Sequence, residues 1–310
     1  MVKVSAIIAK ENVASVRPEV AARVAATDCC VLLTGETGTG KDYLARWLHA
    51  SSRRAARSFV PVNCGAIPEG LIDSHLFGHR RGAFTDALRE NHGLVREAEG
   101  GTLFLDEIGE MGLTAQTRLL RLLDEQEIQP VGGPSPVRVD VRIIAATRCD
   151  LWQAVRERRF RADLLYRLDV IHFHLQPLRQ RRREIPALVE QLNAEVADQI
   201  GRLPFDLDHR AMRLLVGHPW PGNVRQLRSV FERMHVLCPQ VRITAEDVVE
   251  YGGLQRPVVG GGAGRLRRRR LEAVRDAVQQ CGGNVTRAAR VLGVHRSTVH
   301  RWLARACATA

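Results

Sequence analysis

A glycine-rich segment that follows a short apolar run places the strongest constraint on the fold of this chain. Val31–Leu33 leads into the sequence GETGTGK at residues 35–41, and a helical pattern containing Leu44 and Leu48 follows. In a strand, loop and helix of this kind, glycines let backbone N–H groups turn towards phosphate oxygens, and the helix N-terminus adds a favourable dipole. The segment therefore predicts a nucleotide-binding P-loop. The alternative is a glycine-rich turn that only begins a helix.

The predicted loop binds phosphate through its backbone and through Lys41, which would reach the β- and γ-phosphates of a nucleotide. The next residue is Asp42, where the general motif has Ser or Thr. The nucleotide-binding residues predicted here are Gly35, Glu36, Thr37, Gly38, Thr39, Gly40, Lys41 and Asp42.

A second motif, GTLFLDE at residues 101–107, lies about 65 residues after Lys41. Its apolar strand ends in two adjacent carboxylates. Asp106 would hold Mg²⁺ through water, and Glu107 would polarise the attacking water. An apolar run that ends in acids is common, but together with the P-loop it predicts an ATPase whose cofactors are ATP and Mg²⁺.

Strand and helix patterns alternate along the first part of the chain, which predicts a doubly wound parallel α/β sheet over residues 1–178. The predicted strands are Cys29–Leu33, Phe59–Asn63, Thr102–Leu105, Val141–Ala146 and Val170–Leu175. A helical lid follows over residues 179–251, with helices predicted at Ile185–Ile200, Asp208–Val216, Val224–Cys238 and Ala245–Tyr251. The glycine-rich residues 252–264 predict a flexible linker.

The C-terminal segment carries most of the positive charge. Residues 265–310 hold eleven Arg, no Lys and two acids, so they contribute +9 to a net charge of +12. Two apolar helical stripes separated by Gly293 have helix–turn–helix spacing, so we expect an all-α domain that binds double-stranded DNA. The residues expected to meet the bases are His295, Arg296, Ser297, Thr298, His300 and Arg301. The alternative is a helical bundle with a basic solvated face.

The remaining composition indicates a cytoplasmic protein without a membrane partner. None of the seven cysteines has the spacing of a zinc site, and an odd cysteine count fits reduced thiols. The N-terminal apolar run is too short for a signal peptide, and no stretch has the apolar length of a membrane span.

Two further strings carry a resemblance to a known family. Residues 82–87 read GAFTDA, preceded by LFGH, and residues 219–227 read PWPGNVRQL. They resemble the GAFTGA loop and the WPGNVREL signature of bacterial enhancer-binding proteins, which are AAA+ ATPases that remodel RNA polymerase carrying sigma-54. Asp86 stands where that family usually has Gly. The resemblance implies that sigma-54 is contacted by Gly82, Ala83, Phe84, Thr85, Asp86 and Ala87.

The same resemblance implies roles for residues around the nucleotide. Asn63 would be the glutamate switch that hydrogen-bonds Glu107, although a strand-end Asn that caps a turn is the alternative. Arg161 and Arg167 would be arginine fingers that complete a neighbouring subunit's site. Arg225 would be sensor II, which contacts the nucleotide from the lid of the same subunit.

Sensor I departs from the family pattern. The predicted strand Val141–Ala146 ends in Thr147-Arg148, where the family usually has Thr-Asn. Thr147 can still hydrogen-bond near the nucleotide, whereas Arg148 adds a charge there.

Taken over residues 27–250 and 265–305, the resemblance implies an activator of sigma-54 RNA polymerase holoenzyme that binds enhancer DNA at the bacterial nucleoid as dimers. It would assemble into a ring, a hexamer or a hetero-oligomer with a homologue. No receiver or ligand-sensing domain precedes the ATPase, which resembles the subgroup controlled in trans by an inhibitor protein or a co-activating homologue. Two alternatives stay open: a DNA-binding regulator of the same descent that no longer acts through sigma-54, and a DNA-bound AAA+ remodeller of another target.

Overall fold

The computed structural model describes residues 16–83 and 89–254. These residues belong to one compact unit that ends at Leu254, and the chain divides there from residues 255–310. The predictions for Phe84–Ala87 of the GAFTDA segment, for the linker after residue 254 and for the base-contacting residues of the C-terminal domain therefore lie outside the described residues.

The elements are numbered here along the described chain. The strands are β1 (Val31–Thr34), β2 (Phe59–Asn63), β3 (Thr102–Asp106), β4 (Glu127–Ile128), β5 (Val137–Arg138), β6 (Arg142–Thr147), β7 (Ile171–His174), β8 (Asp206–Leu207) and β9 (Arg242–Ile243). The α-helices are α1 (Pro18–Ala25), α2 (Lys41–Ala50), α3 (Glu69–Phe77), α4 (Leu94–Glu97), α5 (Leu113–Glu125), α6 (Leu151–Arg156), α7 (Ala162–Leu168), α8 (Ile185–Ile200), α9 (His209–Gly217), α10 (Asn223–Leu237) and α11 (Ala245–Glu250). Short 3-10 helices cover Cys64–Ala66, Ile108–Glu110, Leu178–Gln180 and Arg182–Glu184.

The five predicted strands are confirmed, and they form one sheet. It has the order β2-β3-β6-β1-β7, and every neighbouring pair is parallel. Because all five strands run the same way, the carboxyl ends of β1, β3 and β6 share one edge of the sheet. That edge carries the P-loop, Asp106 and Thr147, and ligands of open parallel sheets bind at this kind of edge.

Side chains along the sheet alternate between two apolar cores. Leu103 and Ile143 belong to one buried cluster, whereas the next residues in each strand, Phe104 and Ile144, belong to the other. Alternation is the direct result of the two-residue strand period, and both faces are covered by helices. The strands therefore read as continuous apolar runs in the sequence.

The lid has its own core, built mainly by α8, α9 and α10. Trp220 is fully buried there, and its indole N–H donates to Leu215 O at 2.7 Å. The predicted helices are confirmed, with ends within one residue and with identical ends for α8. The lid also contains a short parallel pair, β8 with β9, that the helical prediction did not include. In the ranges that the structure describes, none of the helices combines the length and apolarity that a bilayer crossing requires.

Candidate nucleotide site

The P-loop joins β1 to α2 and lies directly beneath the lid. Gly38 has φ of +78°, and a Cβ at this position would lie 2.3 Å from Gly222 O. Only glycine meets both conditions, because other residues rarely adopt this backbone conformation and their Cβ would clash. Thr39 closes the loop, since its hydroxyl donates to Glu36 O at 2.8 Å.

Lys41 is buried at the start of α2 and points into the loop. Its Nζ donates to Gly35 O at 2.7 Å and to Glu36 O at 3.3 Å. Burial lowers the pKa of this ammonium group, while the carboxylates of Glu107 and Asp106 act in the opposite direction. Both described partners of Nζ are neutral carbonyl oxygens, so the ammonium can still attract a phosphate.

The two predicted carboxylates lie at the end of β3, and both line the same cavity as Lys41. Asp106 Oδ1 accepts the backbone N–H of Glu107 at 3.0 Å. Glu107 has a left-handed backbone, with φ of 53° and ψ of 47°. Such a conformation costs about 1 kcal/mol or more for a residue other than glycine, and it is frequent at functional sites.

The carboxylate of Glu107 is held by Arg148, the residue that departs from the family pattern. Oε2 accepts the backbone N–H of Arg148 at 3.3 Å, and Oε1 lies 3.7 Å from Arg148 Nε. The same guanidinium lies 3.6 Å from Glu110 Oε1. Arg148 is therefore shared between two carboxylates.

Lys41, Asp106 and Glu107 surround a cavity of about 360 Å³ between the loop and the lid. A volume of this order suits a small-molecule ligand. The lid contributes Arg181, Leu188, Gln191, Leu192, Glu195, Val224, Arg225 and Arg228. Residues 37–43 and Asn63 complete the lining. The cavity thus combines cationic, acidic and apolar side chains.

Asn223 connects the lid to the loop and is completely buried. Its side-chain carbonyl accepts the N–H of Leu178 at 2.8 Å. Its side-chain amide donates to Thr37 O at 3.0 Å and to Glu36 Oε2 at 3.3 Å. One side chain therefore fastens the P-loop, the connection after β7 and the start of α10 together.

Two arginines from the connection between the sheet and the lid strengthen this contact. Arg179 donates twice to the carboxylate of Glu36, at 2.7 and 2.5 Å. These hydrogen bonds lower the pKa of Glu36 to about 2 despite the opposing effect of desolvation, so the carboxylate stays ionised. Arg181 is buried and donates to Thr39 O at 2.9 Å.

The structure brings most of the predicted nucleotide-binding residues together but separates two of them. Gly35 and Glu36 do not line the cavity of Lys41. The Glu36 side chain turns to Arg179 and Asn223, while its carbonyl oxygen, like that of Gly35, accepts from Lys41 Nζ. Their place in the structure is to shape the loop.

The predicted glutamate switch, Asn63, and the predicted sensor I residue, Thr147, differ in position. Asn63 lines the cavity, and its Oδ1 accepts the N–H of Gly65 at 3.0 Å, so it caps the following turn. Thr147 is buried and does not line the cavity. Its hydroxyl accepts the N–H of Cys149, and its carbonyl accepts the N–H of Gly35.

The predicted arginine fingers lie outside the cavity of their own chain. Arg161 is bound by Asp163 at 2.7 Å, and Arg167 is bound by Asp124 at 2.8 Å. Arg225 does line the cavity, and its backbone N–H donates to Gly38 O at 3.3 Å.

Comparison with known families agrees with this architecture. The sigma-54 interaction domain matches residues 7–174, the AAA+ ATPase lid domain matches residues 179–256, and a homeodomain-like domain matches residues 265–308. The chain belongs to the sigma-54 activator family of AAA+ proteins. The predicted fold class is confirmed, including the C-terminal helix–turn–helix, since homeodomain-like domains are variants of that motif.

Curated relatives are found among transcriptional regulators. The regulatory protein AtoC of Escherichia coli is 42% identical over 287 residues, which cover 89% of this chain and 62% of AtoC. The DNA-binding transcriptional regulator NtrC of Rhizobium meliloti is 49% identical over 229 residues, which cover 74% of this chain and 47% of NtrC. The chain therefore spans about half to two thirds of the length of these two regulators.

A solved structure shares the fold. NtrX from Brucella abortus, crystallised in complex with ATP, superposes with a TM-score of 0.70 at 35% identity, covering 93% of this chain and 66% of NtrX. The ATP in that crystal is a ligand of NtrX.

The residues that fasten the lid to the P-loop were not among the residues predicted from the sequence. Asn223 lies inside the PWPGNVRQL string and Arg179 begins a basic run, so both were visible in the sequence. No local pattern pairs them with Glu36, because 143 and 187 residues separate the partners along the chain.

Proposed function

We propose that this protein hydrolyses ATP with Mg²⁺ and uses the energy to remodel the sigma-54 RNA polymerase holoenzyme. The observation that carries the proposal is the convergence of Lys41, Asp106 and Glu107 on one cavity beneath a fastened lid. Membership of the sigma-54 activator family supports the choice of partner.

The residues present fit a magnesium nucleotide. A buried ammonium bonded to neutral carbonyl oxygens provides a phosphate-binding cation, and two carboxylates provide the oxygen ligands and base that such a site needs. Lys41 would bind the β- and γ-phosphates, Asp106 would hold Mg²⁺ through water, and Glu107 would orient and polarise the attacking water. When bound, Mg²⁺ would neutralise part of the phosphate charge. Arg225 would bind the nucleotide from the lid, and Thr147 would position the loop through Gly35.

The apolar part of the cavity suits the base of the nucleotide. Leu188, Leu192 and Val224 face it from the lid. Tyr43 also lines the cavity. Burial, with a smaller contribution from Glu195, raises the pKa of its phenol to about 12, so the group stays protonated and can donate a hydrogen bond. The purine base and ribose would occupy this region.

Assembly into a ring would complete the site. Arg161 and Arg167 carry exposed guanidinium groups that do not reach the cavity of their own chain. In a hexamer, or in a hetero-oligomer with a homologue, they would act on the nucleotide of the neighbouring subunit, where an arginine neutralises transition-state charge.

The described residues on either side of the GAFTDA segment are paired with each other. His79 and Asn91 exchange backbone hydrogen bonds at 2.9 Å in both directions, and Arg80 pairs with Glu90 at 2.9 Å. These contacts hold the two described ends of the segment, at residues 79–80 and 90–91, next to each other. Phe84 and Thr85 of the segment would contact sigma-54.

The C-terminal domain would place the ring near its promoter. We infer that residues 265–310 bind enhancer DNA in the bacterial cytoplasm, at the nucleoid. The base contacts would come from His295, Arg296, Ser297, Thr298, His300 and Arg301, and Arg267–Arg270 would neutralise phosphates.

The test is open-complex formation by sigma-54 polymerase on a premelted promoter with purified protein and ATP. Wild type should open the promoter, and Thr85→Ala should not, although it should still hydrolyse ATP. Asp86→Gly is the matched control, since it restores the usual residue of the family. Opening only by Asp86→Gly would mean either that the wild type has drifted from sigma-54 or that it needs a second subunit type to supply the loop. No opening by either protein, with hydrolysis intact, would favour a regulator that no longer acts through sigma-54.

A further inference from the structure

Arg148 brings a guanidinium to the catalytic end of the sheet. It directly follows β6, and its Nε lies 3.7 Å from Glu107 Oε1. Its backbone N–H donates to the other oxygen, Oε2, at 3.3 Å. A single residue therefore engages both oxygens of the carboxylate that would polarise the attacking water.

The contact reaches Glu107 from outside the nucleotide cavity. Arg148 does not line that cavity but a neighbouring one of about 490 Å³. Asn63 and Glu107 line both cavities, so they lie between them. Asn63 Oδ1 is bound to the N–H of Gly65, and the described hydrogen bond to Glu107 comes from Arg148 instead.

Glu110 competes for the same guanidinium. Its Oε1 lies 3.6 Å from Arg148 NH2, close to the 3.7 Å that separates Arg148 Nε from Glu107. A second carboxylate that shares one cation weakens the attraction of either carboxylate alone. The strength with which Arg148 holds Glu107 therefore depends on Glu110.

We propose that Arg148 is a positioning residue that restrains Glu107 and slows ATP hydrolysis. The inference rests on the proposed role of Glu107 in polarising the attacking water. A carboxylate whose two oxygens are engaged by one residue is less free to turn towards that water, and the nearby cation makes it a weaker acceptor for the water's proton. Glu110 opposes the restraint, because it draws the guanidinium away.

The first variant is Arg148→Asn, which removes the guanidinium and restores the residue usual in the family. We expect kcat for ATP to rise about two- to fivefold, the range for an ion pair with one partner more than half exposed. The KM for ATP and the Kd of a fluorescent non-hydrolysable ATP analogue should not change, because Arg148 lies outside the nucleotide cavity. Arg159→Asn is the matched control, since Arg159 pairs with Glu157 on the surface, and it should leave kcat unchanged.

The second variant is Glu110→Gln, for which the expected change has the opposite sign. Without its competitor, Arg148 holds Glu107 more firmly, so kcat should fall by about twofold. In the double variant with Arg148→Asn, the substitution at Glu110 should have no further effect. A purely structural role for either residue would change thermal stability or Kd and would not produce this sign reversal.

The outcomes separate the restraint from the ATPase proposal. A fall in kcat for Arg148→Asn, or a change of Kd in parallel with kcat, would overturn the restraint while leaving the ATPase intact. ATP hydrolysis by Arg148→Asn but not by the wild type would support the restraint in its strongest form. Absence of hydrolysis in both proteins, with no loss of nucleotide binding in Lys41→Ala, would overturn the proposed function and the restraint with it.

Discussion

Replacing Asn223 by Ala should destabilise the described unit and loosen the lid from the P-loop. The side chain is completely buried, and it holds Leu178, Thr37 and Glu36 by three hydrogen bonds. Its backbone φ is 52°, in the left-handed region that alanine rarely adopts. The substitution therefore removes three hydrogen bonds and also places alanine in a backbone conformation that it rarely adopts.

The magnitude follows from these contacts. The N–H of Leu178 is left buried and unsatisfied, at a cost of about 1–3 kcal/mol, and each partly buried bond of the amide contributes about 0.5–1 kcal/mol. The left-handed backbone adds about 1 kcal/mol for alanine. We expect the free energy of unfolding to fall by about 3 kcal/mol or more, which lowers Tm by about 6–12 °C for a unit of this size.

Urea unfolding followed by circular dichroism measures this loss, and Asn223→Gly is the matched control. Glycine loses the same hydrogen bonds but tolerates the backbone conformation, so it should be about 1 kcal/mol more stable than the alanine variant. The Kd for an ATP analogue should rise in both variants, because the lid no longer orders the loop. A loss below about 1 kcal/mol in Asn223→Ala, or equal losses in the two variants, would refute this account of the contact.

The other predictions concern the P-loop lysine, the carboxylate of Glu107, stability in acid and DNA binding. Lys41→Ala should abolish nucleotide binding measured by calorimetry, and an unchanged affinity would remove Lys41 from the phosphate site. Glu107→Gln should bind ATP without hydrolysing it, so normal turnover in a phosphate-release assay would contradict its role. Arg179 lowers the pKa of Glu36 to about 2. The ionised carboxylate therefore contributes its full stability above pH 4.5, its ordinary pKa, and this contribution is lost as the pH falls towards 2. Over that pH range the Tm of Glu36→Gln should fall less than the Tm of the wild type. Deleting residues 265–310 should remove specific DNA binding in footprinting and spare ATPase activity, and footprints that survive would argue against a C-terminal DNA-binding domain.

The local sequence was sufficient to predict the five strands of the parallel sheet and the four helices of the lid. Buried parallel strands are continuous apolar runs, and the lid helices repeat their apolar residues with helical spacing, so both are visible within short windows. The strands β8 and β9, each two residues long, were not predicted from the sequence. Two residues carry no periodicity, and their pairing depends on the packing of α8 to α11 around them.

The chemistry proposed for the site follows from the sequence itself, because a P-loop and a strand that ends in two acids are contiguous motifs. The roles proposed for Lys41, Asp106 and Glu107 rest on residue type and spacing alone. Their partners were decided only by the tertiary structure. Glu36 belongs to the loop motif but bonds to Arg179, and Glu107 is engaged by Arg148. These contacts join residues that are far apart in the chain, and they form because the strand order and the docking of the lid bring the ends of separate elements to one edge of the sheet.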